Sequence, residues 1–426
     1  MKKFFFLILS VISSVTLFSQ ETSDLDSYFE DASDIEEAVV VKEEKTSAAQ
    51  NSFLSSIKFS GNLTSSLGGG LIRKDGENDF TGYLELKNHF YIDSAKSGLY
   101  KIHGDIYTSL PSAASSEKSE GADIITLREL YFDYLLLSRA YITAGKKKTT
   151  WGYPRLFTSD SKDSSGSLDI AGNGITYDSS MNTNILADTL YGTSAQLRLP
   201  VKNGTLSALA FYRSSSSELS EENISWCFSA EFVLWNISFN LFGRKNPNQK
   251  ASAVTSGLIT YQPHVAGFET KTSLASFDIY AQELLKFTSV KKMLKVFSDT
   301  DTLHSSVTTA GFYRLFSFNE FDFGFNGEYQ LEYIFSPEDG QEDLFHRTFA
   351  EAGLLRLGKK NNISIGLDWL HKYQEEEGYV KGGINIGGIF SCADWRTGFK
   401  ATYEVKEEAD LTEFVFGSWI KFTFNY

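Results

Sequence analysis

Two short stretches carry reactive side chains at a spacing of two. Glu85, Lys87, His89 and Tyr91 form one set; Lys101, His103, Asp105 and Tyr107 form the other. That period puts each set on one face of a β-strand. The connection Asp93–Gly98 predicts a hairpin that sets His89 opposite His103 and Lys87 opposite Asp105. Facing Cβ atoms in such a hairpin lie about 4.5–5.5 Å apart. Two chemistries fit this arrangement. One is a two-histidine site that holds a metal or responds to pH; the other is an ordinary polar wall. The wall is the preferred reading, because two histidines without surrounding carboxylates rarely hold a metal.

Enzyme signatures are missing. No Gly-x-Ser-x-Gly, His-Glu-x-x-His or Gly-x-x-x-x-Gly-Lys pattern occurs. The run Gly68-Gly69-Gly70 reads as a bend or bulge in a strand rather than a phosphate cradle. A hydrolase needs a nucleophile with a base in reach; six His are available, but no spacing selects one. Cys227 and Cys392 form no Cys-x-x-Cys pair and read as small apolar residues. The chain is therefore read as a non-enzyme with no cofactor and no metal.

The elements that would position these side chains are strands. In Glu320–Phe335, Phe321, Phe323, Phe325, Tyr329, Leu331, Tyr333 and Phe335 alternate with Glu320, Asp322, Asn326, Glu328, Gln330 and Glu332. At the C-terminus Phe414, Phe416, Ile420, Phe422, Phe424 and Tyr426 alternate with Glu413, Lys421, Thr423 and Asn425. Arg396, Lys400, Thr402 and Glu404 share the polar face of Trp395–Val405. Soluble strands average about 5–6 residues, whereas many of these run to twice that. Strands that cross an outer membrane need about 9–11, with an apolar face to lipid and a polar face to the lumen. Aromatic residues make up 15% of the 426, which fits the girdles that such barrels place at both interfaces.

The expected fold is thus all-β: a transmembrane antiparallel β-barrel of 16–18 strands, with 18 favoured. The range 253–275 holds one strand or two. Long connections are expected at 110–123, 152–187, 288–305 and 335–345. A soluble β-helix or sandwich is the competing architecture.

Both ends add to this. Lys2 and Lys3 precede an apolar run from Phe4 to Phe18, too short to span a bilayer and fit for a secretory signal ending near Ser19. Residues 1–19 are expected to be a signal peptide. Residues 20–52, rich in Asp and Glu, are expected to be an acidic periplasmic tail, with the barrel over 53–426. A net charge of −14 disfavours nucleic-acid binding, which requires a basic face.

The segment Leu127–Gly152, LRELYFDYLLLSRAYITAGKKKTTWG, resembles a hairpin of porin-like outer-membrane barrels of diderm bacteria. That hairpin has the form L-R-E-A-Y-x-D-Y, a short turn, then (I/A)-G-(K/R)-Q and W-G. Lys147 stands where Gln is usual, and the Asp and Pro expected after Trp-Gly are not cleanly placed in Tyr153–Asp163. The terminal aromatics resemble the signal by which such barrels are recognised, which makes Phe422, Phe424 and Tyr426 the assembly residues and barrel-assembly machinery a partner. The resemblance implies membership of the family and leaves the solute open.

The expected function is passive diffusion of small polar solutes through a lumen in outer-membrane lipid. Pore-lining residues are expected to be Glu85, Lys87, His89, Lys101, His103, Asp105, Glu129, Asp133, Lys147, Glu328, Glu332, Arg396 and Lys400. The alternatives are a surface barrel acting as adhesin or receptor, and a transporter of hydrophobic ligands, which the polar inward faces disfavour. Residues 152–187 are read as either a lumen constriction or a solvated outer loop.

Overall fold

The computed structural model describes residues 57–96, 99–110, 125–137, 139–147, 152–153, 192–212, 224–245, 264–287, 303–335, 343–357, 362–389, 392–405 and 409–426. The expected signal peptide, the acidic tail and most of the expected long connections lie outside these ranges.

Eighteen antiparallel strands follow one another around a closed sheet. The first nine are β1 (Ile57–Lys74), β2 (Glu77–Lys96), β3 (Tyr100–Leu110), β4 (Ile125–Leu136), β5 (Ala140–Lys147), β6 (Gly192–Val201), β7 (Gly204–Tyr212), β8 (Ile224–Leu234) and β9 (Ile237–Lys245). The remaining nine are β10 (His264–Leu274), β11 (Phe277–Phe287), β12 (Leu303–Ser317), β13 (Phe321–Ile334), β14 (Leu344–Leu357), β15 (Asn362–Lys372), β16 (Glu377–Gly387), β17 (Ala393–Val405) and β18 (Ala409–Asn425). Each strand pairs with its sequence neighbours, and β1 pairs with β18 to close the ring. Closure gives every strand a neighbour on both sides, although Glu77–Glu85 of β2 extend beyond the end of β3 and pair with β1 alone. The range 253–275 contributes one described strand, β10.

Period two explains the faces. On β13, Asn326, Glu328, Gln330 and Glu332 are 5%, 2%, 0% and 7% exposed, while Phe325, Tyr329 and Tyr333 are 36%, 42% and 40% exposed. This inverts the soluble pattern: polar residues fill the inside and aromatic ones cover the outside. On β18 the outward set is Phe414, Phe416, Ile420, Phe422 and Phe424, in register with Leu63, Leu67 and Leu71 of β1.

Most of the short connections lie at the end of the barrel that holds the start of β1 and the end of β18, while Asp75–Gly76 turns at the other end. Trp235–Asn236 and Ala275–Ser276 have positive φ at both residues, the conformation of the two-residue type I′ hairpin. Neither pair carries the usual glycine, so pairing of the flanking strands imposes the turn.

The hairpin β2–β3 corrects one expectation. His89 stands opposite Tyr107, not His103, and Asp105 stands opposite Tyr91, not Lys87. Pairing continues through Asp93 to Lys96, which stands opposite Tyr100. Asp93 extends the inward polar row and takes His103 as its partner, 2.8 Å away, which rewards the longer hairpin. Each partner moves by an even number of residues, so every side chain keeps its face.

Candidate functional site

The interior wall of β2–β5 gathers most of the residues selected from the sequence. His89 Nδ1 lies 3.0 Å from Asp105 Oδ1. His103 Nδ1 lies 2.8 Å from Asp93, and its Nε2 lies 3.7 Å from Glu129. Tyr91 stacks between the two imidazoles, at 5.8 Å from His89 and 6.1 Å from His103. The histidines therefore do not face each other, and each has its own carboxylate. Among the described residues, no three His, Cys, Asp or Glu side chains are grouped as a metal ion would require.

Tyr131, 8% exposed, is the centre of the next row. Lys147 Nζ lies 4.5 Å above its ring, Lys101 Nζ lies 5.9 Å away, and the His103 ring packs at 5.4 Å. Asp133 accepts from the hydroxyl of Thr143 on β5. Lys87 stands opposite Thr64 and Ser109. Glu85 is placed only by its backbone, opposite Ser66 on β1.

A bulge re-aims β4. Asp105 pairs with Glu129 and Ile106 with Leu127, so Arg128 is the extra residue. Counting alternately back from Tyr131 would put Leu127 inside and Arg128 outside. The bulge reverses both. Leu127 is 40% exposed on the outer face. Arg128 turns inward, with Cζ 5.3 Å over the Tyr107 ring and Nη1 3.3 Å from His89 Nε2. Sequence reading selected Glu129 and missed Arg128, because alternation carries no signal for a bulge.

The opposite wall is held by ion pairs. Glu332 accepts from Lys286 Nζ at 2.9 Å and from Arg347 Nη1 at 3.3 Å. Arg347 also donates to Gln330 at 3.0 Å. Glu328 accepts from the Tyr280 hydroxyl at 2.6 Å. Arg396 Nε donates to Asn385 at 3.2 Å, and Lys400 Nζ lies 5.5 Å over the Tyr379 ring. Arg347 is 4% exposed, so removing it leaves Glu332 and Gln330 short of a donor inside the wall. Arg347→Met should lower stability by about 3 kcal/mol, read as a reduced urea midpoint of the purified protein in detergent. An unchanged midpoint would show that the cluster adds no net stability.

Tyr153 is seated in the interior. Gly152 has φ 136°, a conformation open to glycine, and turns the chain inward. Tyr153 then donates its backbone N–H to Glu269 at 2.8 Å and its hydroxyl to Glu231 at 2.9 Å. Asn240 and Gln282 complete the shell of Glu269, at 2.7 and 2.9 Å. Burial, and then the two carboxylates, push the Tyr153 phenol far above its ordinary range, so it stays a donor. Glu231 and Glu269 sit low on β8 and β10, three and five residues from their short turns. Lys147 is seven residues above the start of β5. Nothing in the sequence marks Glu231, Glu269 or Tyr153 as partners, since 78 and 116 residues separate them.

Part of the interior is apolar. Leu209, Phe211 and Cys227 form one buried cluster; Phe242, Val265, Leu284 and Val307 form another. The polar inward faces read from the sequence do not extend to these strands. On β7 the outward Ala208 and Ala210 alternate with inward Leu209 and Phe211, so period-two contrast is lost.

The C-terminal aromatics lie on the outer face at the seam. Gly61 and Tyr426 exchange backbone hydrogen bonds at 2.9 and 3.0 Å. The Tyr426 ring lies over Gly61, and its hydroxyl donates to Asn88 Oδ1 at 2.9 Å.

No protein-family model matches the sequence, and no curated protein matches it. Solved structures share the fold. Pseudomonas aeruginosa OccK9 (OpdG) is similar at 10% identity and TM-score 0.50, over 88% of this chain and 100% of that one. Acinetobacter baumannii OccAB3 is similar at 8% identity and TM-score 0.46, over 86% and 99%. OmpT, an outer membrane protein of Vibrio cholerae in its trimer form, is similar at 10% identity and TM-score 0.41, over 86% and 99%. Identities this low speak to architecture alone.

Proposed function

We propose that this chain is an outer-membrane channel for passive diffusion of small polar solutes, exported through a cleaved signal peptide and inserted by the barrel-assembly machinery. The observation that carries the reading is the closed 18-stranded ring with buried charge inside and exposed aromatics outside. Lipid is the solvent that suits such an exterior, and a ring of this strand number is wide enough for an aqueous passage. No catalytic role is assigned. The pore lining comprises Glu85, Lys87, His89, Lys101, His103, Asp105, Glu129, Asp133, Lys147, Glu328, Glu332, Arg396 and Lys400. Phe422, Phe424 and Tyr426 serve assembly, and the acidic tail lies on the periplasmic side.

The seat of Tyr153 against Glu231 and Glu269 supports a constriction role for residues 152–187 over a solvated outer loop. The second reading is a transporter of hydrophobic ligands, which the apolar clusters on β7–β12 support more than the sequence did. Single-channel recording in planar bilayers tests the proposal. The full-length protein should give stepwise conductance in salt, and Lys147→Glu should shift selectivity towards cations. Tyr153→Ala should raise conductance by freeing the segment from Glu231 and Glu269. A bilayer that stays silent with correctly folded protein would overturn the channel and leave the receptor or ligand-transport readings.

A further inference from the structure

We propose that Arg128 is a selectivity-determining residue of the passage and that His89 is its positioning residue, through a hydrogen bond that acid breaks; this rests on the channel reading above. The argument starts from donors and acceptors. Arg128 has donors only. Its Nη1 lies 3.3 Å from His89 Nε2, so that nitrogen accepts and carries no proton. The imidazole proton then sits on Nδ1 and is donated to Asp105 Oδ1 at 3.0 Å. His89 is held as the neutral tautomer between an acid and a base. His103 differs: it has no arginine partner, and Asp93 and Glu129 lie 2.8 and 3.7 Å from its two nitrogens.

The bulge gives this pair its purpose. It costs β4 one ladder position and delivers a guanidinium to the inner wall that strict alternation would turn outward. There its Cζ lies 5.3 Å over the Tyr107 ring, beside the His89 ring that packs on the same tyrosine at 4.9 Å. The surroundings of His89 are complete in outline. β1 contributes Ser60, Asn62 and Thr64, none of which titrates; β2 contributes Lys87 and Tyr91; β3 contributes Asp105 and Tyr107; β4 contributes Arg128 and Glu129. Histidine is the side chain whose charge changes between pH 5 and 8. Protonation of His89 puts an N–H where Arg128 needs a lone pair and sets two like charges at hydrogen-bond distance. Arg128 must then leave the wall and project into the passage, where its charge acts on passing ions.

Reversal potentials of the full-length protein across a potassium chloride gradient test this at pH 7.5 and 5.5. Wild type should shift towards anions on acidification. His89→Gln, whose carbonyl can still accept from Arg128 but does not titrate, should keep the selectivity seen at pH 7.5 and lose the shift. Arg128→Gln should be less anion-selective at pH 7.5 and also lose the shift. His103→Gln should retain it. The inference is overturned if wild type shows no shift, if His89→Gln shifts as wild type does, if Arg128→Gln leaves selectivity unchanged, or if His103→Gln alone removes the effect. Absence of any conductance in wild type would instead defeat the channel reading itself.

Discussion

Phe416→Lys should stop the protein from assembling stably in a bilayer, whereas Thr423→Lys should be tolerated. Phe416 is 43% exposed on the outer face, near the middle of β18, with Leu71 and Phe399 as its cross-strand neighbours. A lysine facing lipid near the midplane costs about 2–4 kcal/mol, a large share of the stability of a folded domain. Thr423 points inward beside Thr64, where an ammonium meets water and polar neighbours. The strand cannot escape by slipping one residue, because that would turn Glu413 and Lys421 outward as well. The folded fraction in vesicles, read from heat-modifiable gel mobility, distinguishes the variants. Equal folding of both would reject the assignment of faces.

Gly61→Val should prevent closure of the seam, while Gly82→Val should not. A Cβ on Gly61 would meet the His89 carbonyl oxygen at 2.4 Å and the Tyr426 ring at 2.5 Å. The tyrosine is at the chain end and can swing aside, but the carbonyl belongs to the β1–β2 ladder and cannot. Overpacking typically costs about 1–3 kcal/mol and occasionally more. The upper end is expected here because the obstacle is backbone. Gly82 lies on the same outer face of β2 and has nothing within 4 Å of its Cβ position. Urea unfolding of the refolded proteins provides the measure. Matching midpoints for the two valine variants would show that the glycine notch under Tyr426 has no part in closure.

Particular residues show where the sequence was informative. On β13 and β18, apolar and polar residues mostly alternate, so the faces of Phe325, Glu328, Phe416 and Lys421 follow from period two alone. On β7 both faces are apolar, and the inward Leu209 and Phe211 carry no mark that separates them from the outward Ala208. The type I′ geometry at Trp235–Asn236 was not legible, because asparagine accepts a positive φ but tryptophan rarely does. The candidate wall was legible as a set and not as a geometry: His89, His103 and Asp105 share it, but the pairing among them was misjudged.

By itself the sequence determined the architecture. A strand repeats every two residues, and a chain that must hide its backbone from lipid has few alternatives to a closed ring. Composition and alternation were therefore enough to give strands, faces and an expected 18 of them. Register, bulge and the seat of Tyr153 were decided only by the tertiary structure. Hairpin register depends on how many pairs form before the turn, and Asp93 extended it by finding His103. The inward turn of Arg128 depends on one unpaired residue opposite β3. The seat of Tyr153 on Glu231 and Glu269 joins segments that no local pattern relates. Each of these is set by contact free energies between distant residues, which a periodicity within one strand does not encode.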